Sequence, residues 1–258
     1  MALQYFNGQG KCYLGLRDSD GNAQALRYVG NAPNFKFALE ESVTEHKESY
    51  SGSRLTDVRL TTELKASTEL VLEQIDTANL NLMLWGATVT QGGTDVTAYA
   101  LEGSDTPTVG HVYLFADQDV NTVVITDSTG SPKTLTVNTN YELDEDAGMI
   151  TMLDITTGGA FTGPLKAAYK RTAISRTKMF GASAVEYWLR FVGLNTAVSG
   201  SPKVIVDLYR VRMSPTAEVG LINDDVAQFT LSGSVLMDTT KTLASDFGQF
   251  GRMIKFES

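Results

Sequence analysis

Two long runs between Asn34 and Ile75 alternate apolar and polar residues with a period of two, and they constrain this chain more than any other stretch. In the first, Phe35, Phe37, Leu39, Glu41 and Val43 share one face, and Lys36, Ala38, Glu40 and Ser42 the other. In the second, Leu64, Ala66, Thr68, Leu70 and Leu72 lie opposite Glu63, Lys65, Ser67, Glu69 and Glu73. A two-residue period held over such lengths predicts paired, half-buried antiparallel strands. The connection from Glu45 to Arg54 (EHKESYSGSR) is charge-dense, almost free of apolar side chains and too long for a tight turn. A projecting hairpin of this size adds little to a small monomer's core. In an assembling protein it can grip a neighbour.

The remaining sequence also reads as mainly β. Glycine is frequent (23 residues) and proline scarce (6), a balance that suits strands joined by many turns. Cys12–Leu16 predicts a short strand preceded by a glycine turn at Gly8-Gln9-Gly10-Lys11, which lacks the spacer and Ser/Thr of a phosphate loop. After the second long run, Asp76 or Thr77 can cap a helix of two to three turns. Leu80, Met83 and Leu84 would share its buried face and Gly86 would terminate it. From Thr88 onward the character changes. Loop clusters at Gln91–Asp95 and Glu102–Pro107 precede short strand-like runs at His111–Phe115, Thr122–Thr126, Lys133–Val137, Tyr141–Leu143, Met149–Leu153 and Leu165–Tyr169. Such spacing suggests a small β-sandwich. Residues 105–170 hold nine acids against three lysines, so this segment carries −6 of the chain's net charge of −9. It reads as an acidic module inserted into another domain. Long strands then return at Val185–Val192, Lys203–Met213, Ala217–Leu221 and Gln228–Met237. The apolar tail from Ala244 must bury Phe247, Phe250, Ile254 and Phe256, either as a last strand of the same barrel or on another subunit.

No catalytic constellation emerges. The two histidines, His46 and His111, have no triad-like neighbours in sequence, and no metalloprotease, nucleophile-elbow or Cys/His metal spacing occurs. Asp144-Glu145-Asp146 lacks the ligand spacing and closing Glu of an EF-hand, and reads as a solvated turn. Trp85 and Trp188 are read as core or interface residues. The single cysteine, Cys12, excludes an internal disulfide and reads as a small buried hydrophobe. The net charge argues against phosphate-neutralising nucleic-acid binding. Met1–Phe6 lacks the pattern of a secretory leader, and no run approaches the length of a membrane-spanning helix, so a soluble protein made in a cytoplasm is expected. Two other function classes fit the composition: a carbohydrate- or cell-surface-binding β-sandwich in residues 105–170, and a β-rich hydrolase with a carboxylate pair that nothing here selects.

Taken together, these segments resemble the major tail tube proteins of tailed bacteriophages. The likeness rests on YFNGQGKCYLG, the YVGNAP lead-in, FKFALEESVTEHKESYSGSRLTDVRL, ELKASTELVLEQIDTANLNLMLWG, and the inserted GHVYLFADQDVNTVVITD…NYELDEDAGMITML module carried by some larger members. Its most specific part is H-K-E-S-x-S-G-x-R at His46, Lys47, Glu48, Ser49, Ser51, Gly52 and Arg54.

The resemblance implies a tail-tube β-sandwich or barrel with one flanking α-helix, formed by residues 1–87 and 172–258. An Ig-like β-sandwich module with its linkers would be inserted at 88–171. It further implies a structural virion protein, not an enzyme, with no cofactor or metal. Hexameric rings would stack into a tube that houses a tape-measure protein and passes DNA without specific binding. Terminator and baseplate or tip proteins would close its ends, and a sheath would surround it where the tail contracts. Glu45, His46, Lys47, Glu48, Tyr50, Arg54, Asp57, Phe247, Phe250 and Phe256 would be contacts between subunits and rings. Glu40, Glu63, Glu69 and Glu73 would be candidates for the lumen wall.

Overall fold

The computed structural model describes residues 5–242 and 246–256. In chain order it contains β1 (Gly8–Leu16), β2 (Arg27–Tyr28), β3 (Asn34–Lys47), β4 (Thr56–Leu72), α1 (Thr77–Leu84), β5 (Ala87–Gln91), β6 (Thr94–Ala100), β7 (Val112–Leu114) and β8 (Val120–Thr126). There follow β9 (Tyr141–Asp144), β10 (Met149–Met152), β11 (Lys166–Arg171), β12 (Ile174–Lys178), β13 (Glu186–Asn195), β14 (Lys203–Met213), β15 (Phe229–Val235) and β16 (Gly251–Lys255). The protein is mainly β, with one helix among the described residues. It divides into two compact units, Met1–Ala87 with Thr177–Ser258, and Thr88–Arg176.

The first unit is organised by one antiparallel sheet in the order β2-β1-β13-β14-β15-β4-β3, with β16 also on β14. The middle strand branches. Val204–Leu208 of β14 pairs with β16, whereas Val211–Met213 pairs with β15. One edge of β14 therefore serves two partners, and the sheet wraps around a core that includes Leu14, Leu70, Met83, Leu189, Val211, Phe229 and Leu231. Cys12 belongs to this core, where burial pushes its thiol up to about 12 and leaves it unreactive. The glycines of β1 are not a turn. Gly10 lies opposite Gly193 inside the β1–β13 ladder, and a Cβ on Gly10 would sit 2.5 Å from Gly193 Cα and 2.7 Å from Phe191 Cε2. The two glycines make room for the Phe191 ring, which stacks on Phe35 of β3 with centroids 5.6 Å apart.

Helix α1 forms as its cap predicts. The Asp76 carboxylate accepts the Asn79 N–H at 2.6 Å, but the left-handed residue closing the helix is Trp85 (φ 45°), not Gly86. The buried face is also shifted, to Asn79, Leu82 and Met83. Asn79 is fully buried because its amide donates to the carbonyls of Val29 (2.8 Å) and Gln74 (3.0 Å), tying the helix to the loop before β3. Trp85 Nε1 donates to the Met213 carbonyl at 3.1 Å.

The second unit has two three-stranded antiparallel sheets, β7-β10-β9 and β6-β11-β8, which share a core including Leu101, Phe115, Ile125, Ile150, Leu165 and Tyr169. The buried Asp117 joins its elements, accepting from Tyr169 Oη (3.0 Å), Arg171 Nη1 (2.8 Å) and Arg176 Nη2 (3.1 Å). β5 and β12 form a separate two-stranded sheet.

Several sequence expectations need correction. Lys133–Val137 makes only isolated bridges, because the N–H groups of Lys133 and Thr136 donate to the side chains of Asp127 (2.7 Å) and Asn140 (2.8 Å) and the chain turns at Asn138 (φ 61°). Ala217–Leu221 is a loop, held between Pro215 and an Asn223 amide that donates to the Gly220 carbonyl at 3.1 Å. β5, β6 and β12, in contrast, lie where the sequence predicts no strand.

Candidate assembly surface

The hairpin of β3 and β4 pairs from Asn34↔Val71 to Lys47↔Thr56, with irregularities at Ser42/Val43 and His46/Lys47. Directly opposed residues share a face in an antiparallel pair. Phe35, Phe37, Leu39 and Glu41 thus align with Leu70, Thr68, Ala66 and Leu64, while Lys36, Ala38, Glu40 and Ser42 align with Glu69, Ser67, Lys65 and Glu63. The expected half-burial holds only at the base. Leu70 and Leu72 are fully buried, but on the same face Leu39 is 72% and Leu64 63% exposed. From Thr56 to Lys65 every residue of β4 is exposed. The hairpin leaves the body of the unit with both faces in solvent. β3 also ends the sheet, so its outer edge carries no partner strand among the described residues.

The tip is an ordered loop. The Glu48 N–H donates to the Leu55 carbonyl at 2.9 Å, and the Glu48 carboxylate accepts the N–H groups of Tyr50 (2.8 Å), Ser51 (2.8 Å) and Leu55 (3.1 Å), together with the Ser51 hydroxyl. Gly52 (φ 82°) and Arg54 (φ 49°) supply the left-handed turns. Of the pattern that carried the resemblance, Glu48, Ser51, Gly52 and Arg54 therefore have a common cause: they fold this loop. Glu48 is nearly buried and turned inward, so in the free subunit it organises the tip instead of projecting from it. The Ser51 hydroxyl and amide, followed by the Leu55 and Tyr50 amides, lower its carboxyl to about 2 against the opposing effect of desolvation.

The other candidates fall into distinct places. Glu45, His46 and Lys47 lie on β3 and Asp57 on β4, with His46 Nδ1 2.7 Å from Asp57 Oδ1. Tyr50 is 87% exposed at the tip, and Arg54 is exposed beside it. Glu40, Glu63 and Glu69 share the polar face, as expected. Lysines punctuate that face, however, with Lys36 Nζ 2.8 Å from Glu69 and Lys65 Nζ 2.9 Å from Glu63. Glu73 lies beyond β4, where it accepts from the amides of Asn31 and Gln228. β16 joins its own sheet, and Phe250 packs partly buried against the core. Phe247 and Phe256 remain exposed, and the Tyr209 hydroxyl donates to the Phe247 carbonyl at 2.7 Å. Ala244 lies outside the described residues.

Two features had no signal in the sequence reading. One is an apolar groove of about 440 Å³ where Phe37 and Leu39 of β3 and Ala66 of β4 face Leu208, Phe250 and Met253. The other is the loop between β14 and β15, where Leu221 is 84% and Ile222 99% exposed. Among the described residues no cluster of three or more His, Cys, Asp or Glu could hold a metal ion, and no helix is long and apolar enough to cross a membrane.

A family model described as protein of unknown function UCP028589 matches residues 5–254, and the chain belongs to that family. No curated protein matches it.

Proposed function

We propose that this chain is a structural subunit that assembles with copies of itself, and specifically the tail tube subunit of a tailed bacteriophage. The observation that carries this reading is the β3–β4 hairpin, exposed on both faces beyond its base, with a 14-residue edge strand that pairs on one side only among the described residues. Long exposed edges and contiguous apolar surface are aggregation hazards that monomeric proteins blunt or cover. Sharing the sheet around a hexameric ring would remove the edge and cover Leu39 and Leu64. The ordered Glu48 loop suits a tip that meets a neighbouring subunit or ring, since a preformed loop loses less entropy on docking.

In this reading the protein is not an enzyme and needs no cofactor. Its partners would be its own copies in stacked rings, a tape-measure protein inside, and terminator and baseplate or tip proteins at the ends. The virion tail would be its location. The polar hairpin face carries Glu40, Glu63 and Glu69 against Lys36 and Lys65. If that face lines the channel it is nearly neutral, a surface along which DNA would slide without lasting attachment. Most of the excess acid belongs to the second unit, which would decorate the exterior.

Negative-stain microscopy and sedimentation of the purified chain test this. Rings or tubes are expected, and deletion of Lys47–Arg54 should leave a folded monomer by circular dichroism that no longer forms them. A wild-type chain that stays monomeric at high concentration, or tubes unchanged by the deletion, would overturn the reading.

A further inference from the structure

The face of the large sheet turned away from the core is basic, in a chain whose net charge is −9. Strands β1, β2, β13, β14 and β16 together carry eight basic residues and two acids, Glu186 and Asp207. Each acid is already answered by two arginines, Glu186 by Arg17 and Arg210, Asp207 by Arg190 and Arg252. The strands keep an excess of positive charge.

Register places that excess. Cys12, Phe191, Val206 and Met253 are opposed across β1, β13, β14 and β16, and the buried Cys12 and Val206 put this row on the core side. Side chains alternate along a strand, so the rows to either side point outward. One is Tyr13, Arg190, Asp207 and Arg252, and the other is Lys11, Val192, Ile205 and Ile254. Two residues further along, Leu194 lies opposite Lys203, and the Phe256 N–H donates to the Lys203 carbonyl at 3.1 Å. Val192, Ile205 and Ile254 are half-buried, and Leu194 and Phe256 are exposed. This apolar patch is rimmed by Lys11 and Lys203, both exposed. Among the described residues the lysines paired with carboxylates are Lys36, Lys65 and Lys170, so the charges of Lys11 and Lys203 are uncompensated.

The β14–β15 loop has the complementary make-up. Val219 and Ala227 pack partly buried against the core and fix its stems, while Leu221, Ile222 and Val226 are exposed between them. From Ser214 to Gln228 the loop carries Glu218, Asp224 and Asp225, all exposed, and no basic residue. Within the subunit it covers nothing on the basic face. Ile222 is 99% exposed, and eight residues of β14, roughly 26 Å at about 3.3 Å per residue, separate Met213 at the loop's stem from Ile205.

We infer that the β14–β15 loop of one copy docks on the outer face of β13, β14 and β16 of a second copy, with Leu221 and Ile222 on the Val192–Ile205–Ile254 row and its acids toward Lys11 and Lys203. A phosphate backbone matches that face in charge alone, whereas the loop matches it in charge and in apolar character. The two surfaces are different parts of the subunit, so the contact is heterologous and propagates until a ring closes. This rests on the self-assembly reading above and names the surfaces that would join neighbouring subunits.

The test is a charge exchange in the full chain at exposed positions. One variant carries Lys11→Glu with Lys203→Glu, the other Asp224→Lys with Asp225→Lys, and circular dichroism checks that each folds. Alone, each should self-associate at least about tenfold more weakly in sedimentation velocity, because like charges then face each other. An equimolar mixture should regain wild-type assembly, since every junction between unlike copies again joins opposite charges. Variants that assemble like the wild type would overturn the inference, as would weakened variants that mixing does not restore; in both cases the tube reading stands while the wild type still assembles. If the lysine variant assembles normally but loses retention of duplex DNA, the face belongs to a polyanion and the inference fails. A wild-type chain that never associates overturns both.

Discussion

Arg190 on β13 grips Asp207 on β14 with two hydrogen bonds, from Nε to Oδ1 at 2.5 Å and from Nη2 to Oδ2 at 2.9 Å, and the carboxylate is fully buried. Arg252 on β16 reaches the same group from the other side, its Nε 3.1 Å from Oδ2. One buried acid thus links three strands at the place where the sheet branches. Burial opposes its ionisation, but the two guanidiniums outweigh that effect and hold its carboxyl below the usual range.

Asp207→Ala should therefore destabilise the first unit by about 3 kcal/mol, because two half-buried guanidiniums lose their partner. The shift of the urea midpoint measures it. Arg190→Ala should cost more than Arg252→Ala, since the first removes a bidentate pair and the second a single hydrogen bond. Arg252→Ala should instead accelerate amide exchange chiefly in Gly251–Lys255. Because the folded carboxyl titrates below its unfolded value, this stabilisation is complete above about pH 4 and is lost as the pH falls through the lower, folded value. An unchanged urea midpoint for Asp207→Ala would contradict the clamp.

Gly10→Ala should destabilise by about 1–3 kcal/mol, the range for overpacking a well-filled site. The added methyl meets backbone at Gly193 and Val192 and the Phe191 ring, none of which is a flexible chain end. Phe191 also stacks on Phe35 at the base of the hairpin, so the change should loosen β3 there. Pairing Gly10→Ala with Phe191→Leu tests the cause: a smaller side chain at 191 should relieve part of the loss in thermal denaturation.

Strand pairing was the most legible feature, because a period of two fixes both the element and its faces. Periodicity does not say whether a face is covered. Leu64 and Leu70 occupy the same stripe, yet one is exposed and the other sealed in the core. The run Ala217–Leu221 alternates as convincingly as many strands, but it has no partner ladder, and only the fold reveals that. Gly8 and Gly10 have the composition of a turn, and the role of Gly10 in admitting Phe191 depends on a residue about 180 positions away. Glu48 stood out as part of a pattern, but a carboxylate that binds its own backbone and one offered to a neighbour look alike in sequence.

Substitutions along that single stripe should separate folding from assembly. Leu70→Ala empties a sealed core position and should cost about 3 kcal/mol. Leu64→Ser, on the same face but in solvent, should change unfolding of the isolated subunit by no more than about 0.5 kcal/mol. If Leu64 is covered in the assembled state, the same Leu64→Ser change should weaken self-association measured by light scattering while leaving the urea midpoint in place. A large loss of subunit stability from Leu64→Ser would mean that the hairpin packs on its own subunit.

The Glu48 loop makes a prediction about acid. Its carboxyl is held at about 2, below the unfolded value of roughly 4.3, so its hold on the tip is complete above the latter and decays only as the pH falls toward the former. The amide resonances of Tyr50, Ser51 and Leu55, which donate to this carboxylate, should therefore titrate together with a midpoint near 2. In Glu48→Ala the same three amides should exchange with solvent about tenfold faster or more at neutral pH, while Leu70 and other core amides keep their protection. Glu48→Gln keeps a carbonyl acceptor but loses the charge, so it should fall between the two. Amides that titrate near 4.3, or a loop whose exchange is indifferent to Glu48→Ala, would show that the tip is ordered by something other than this carboxylate.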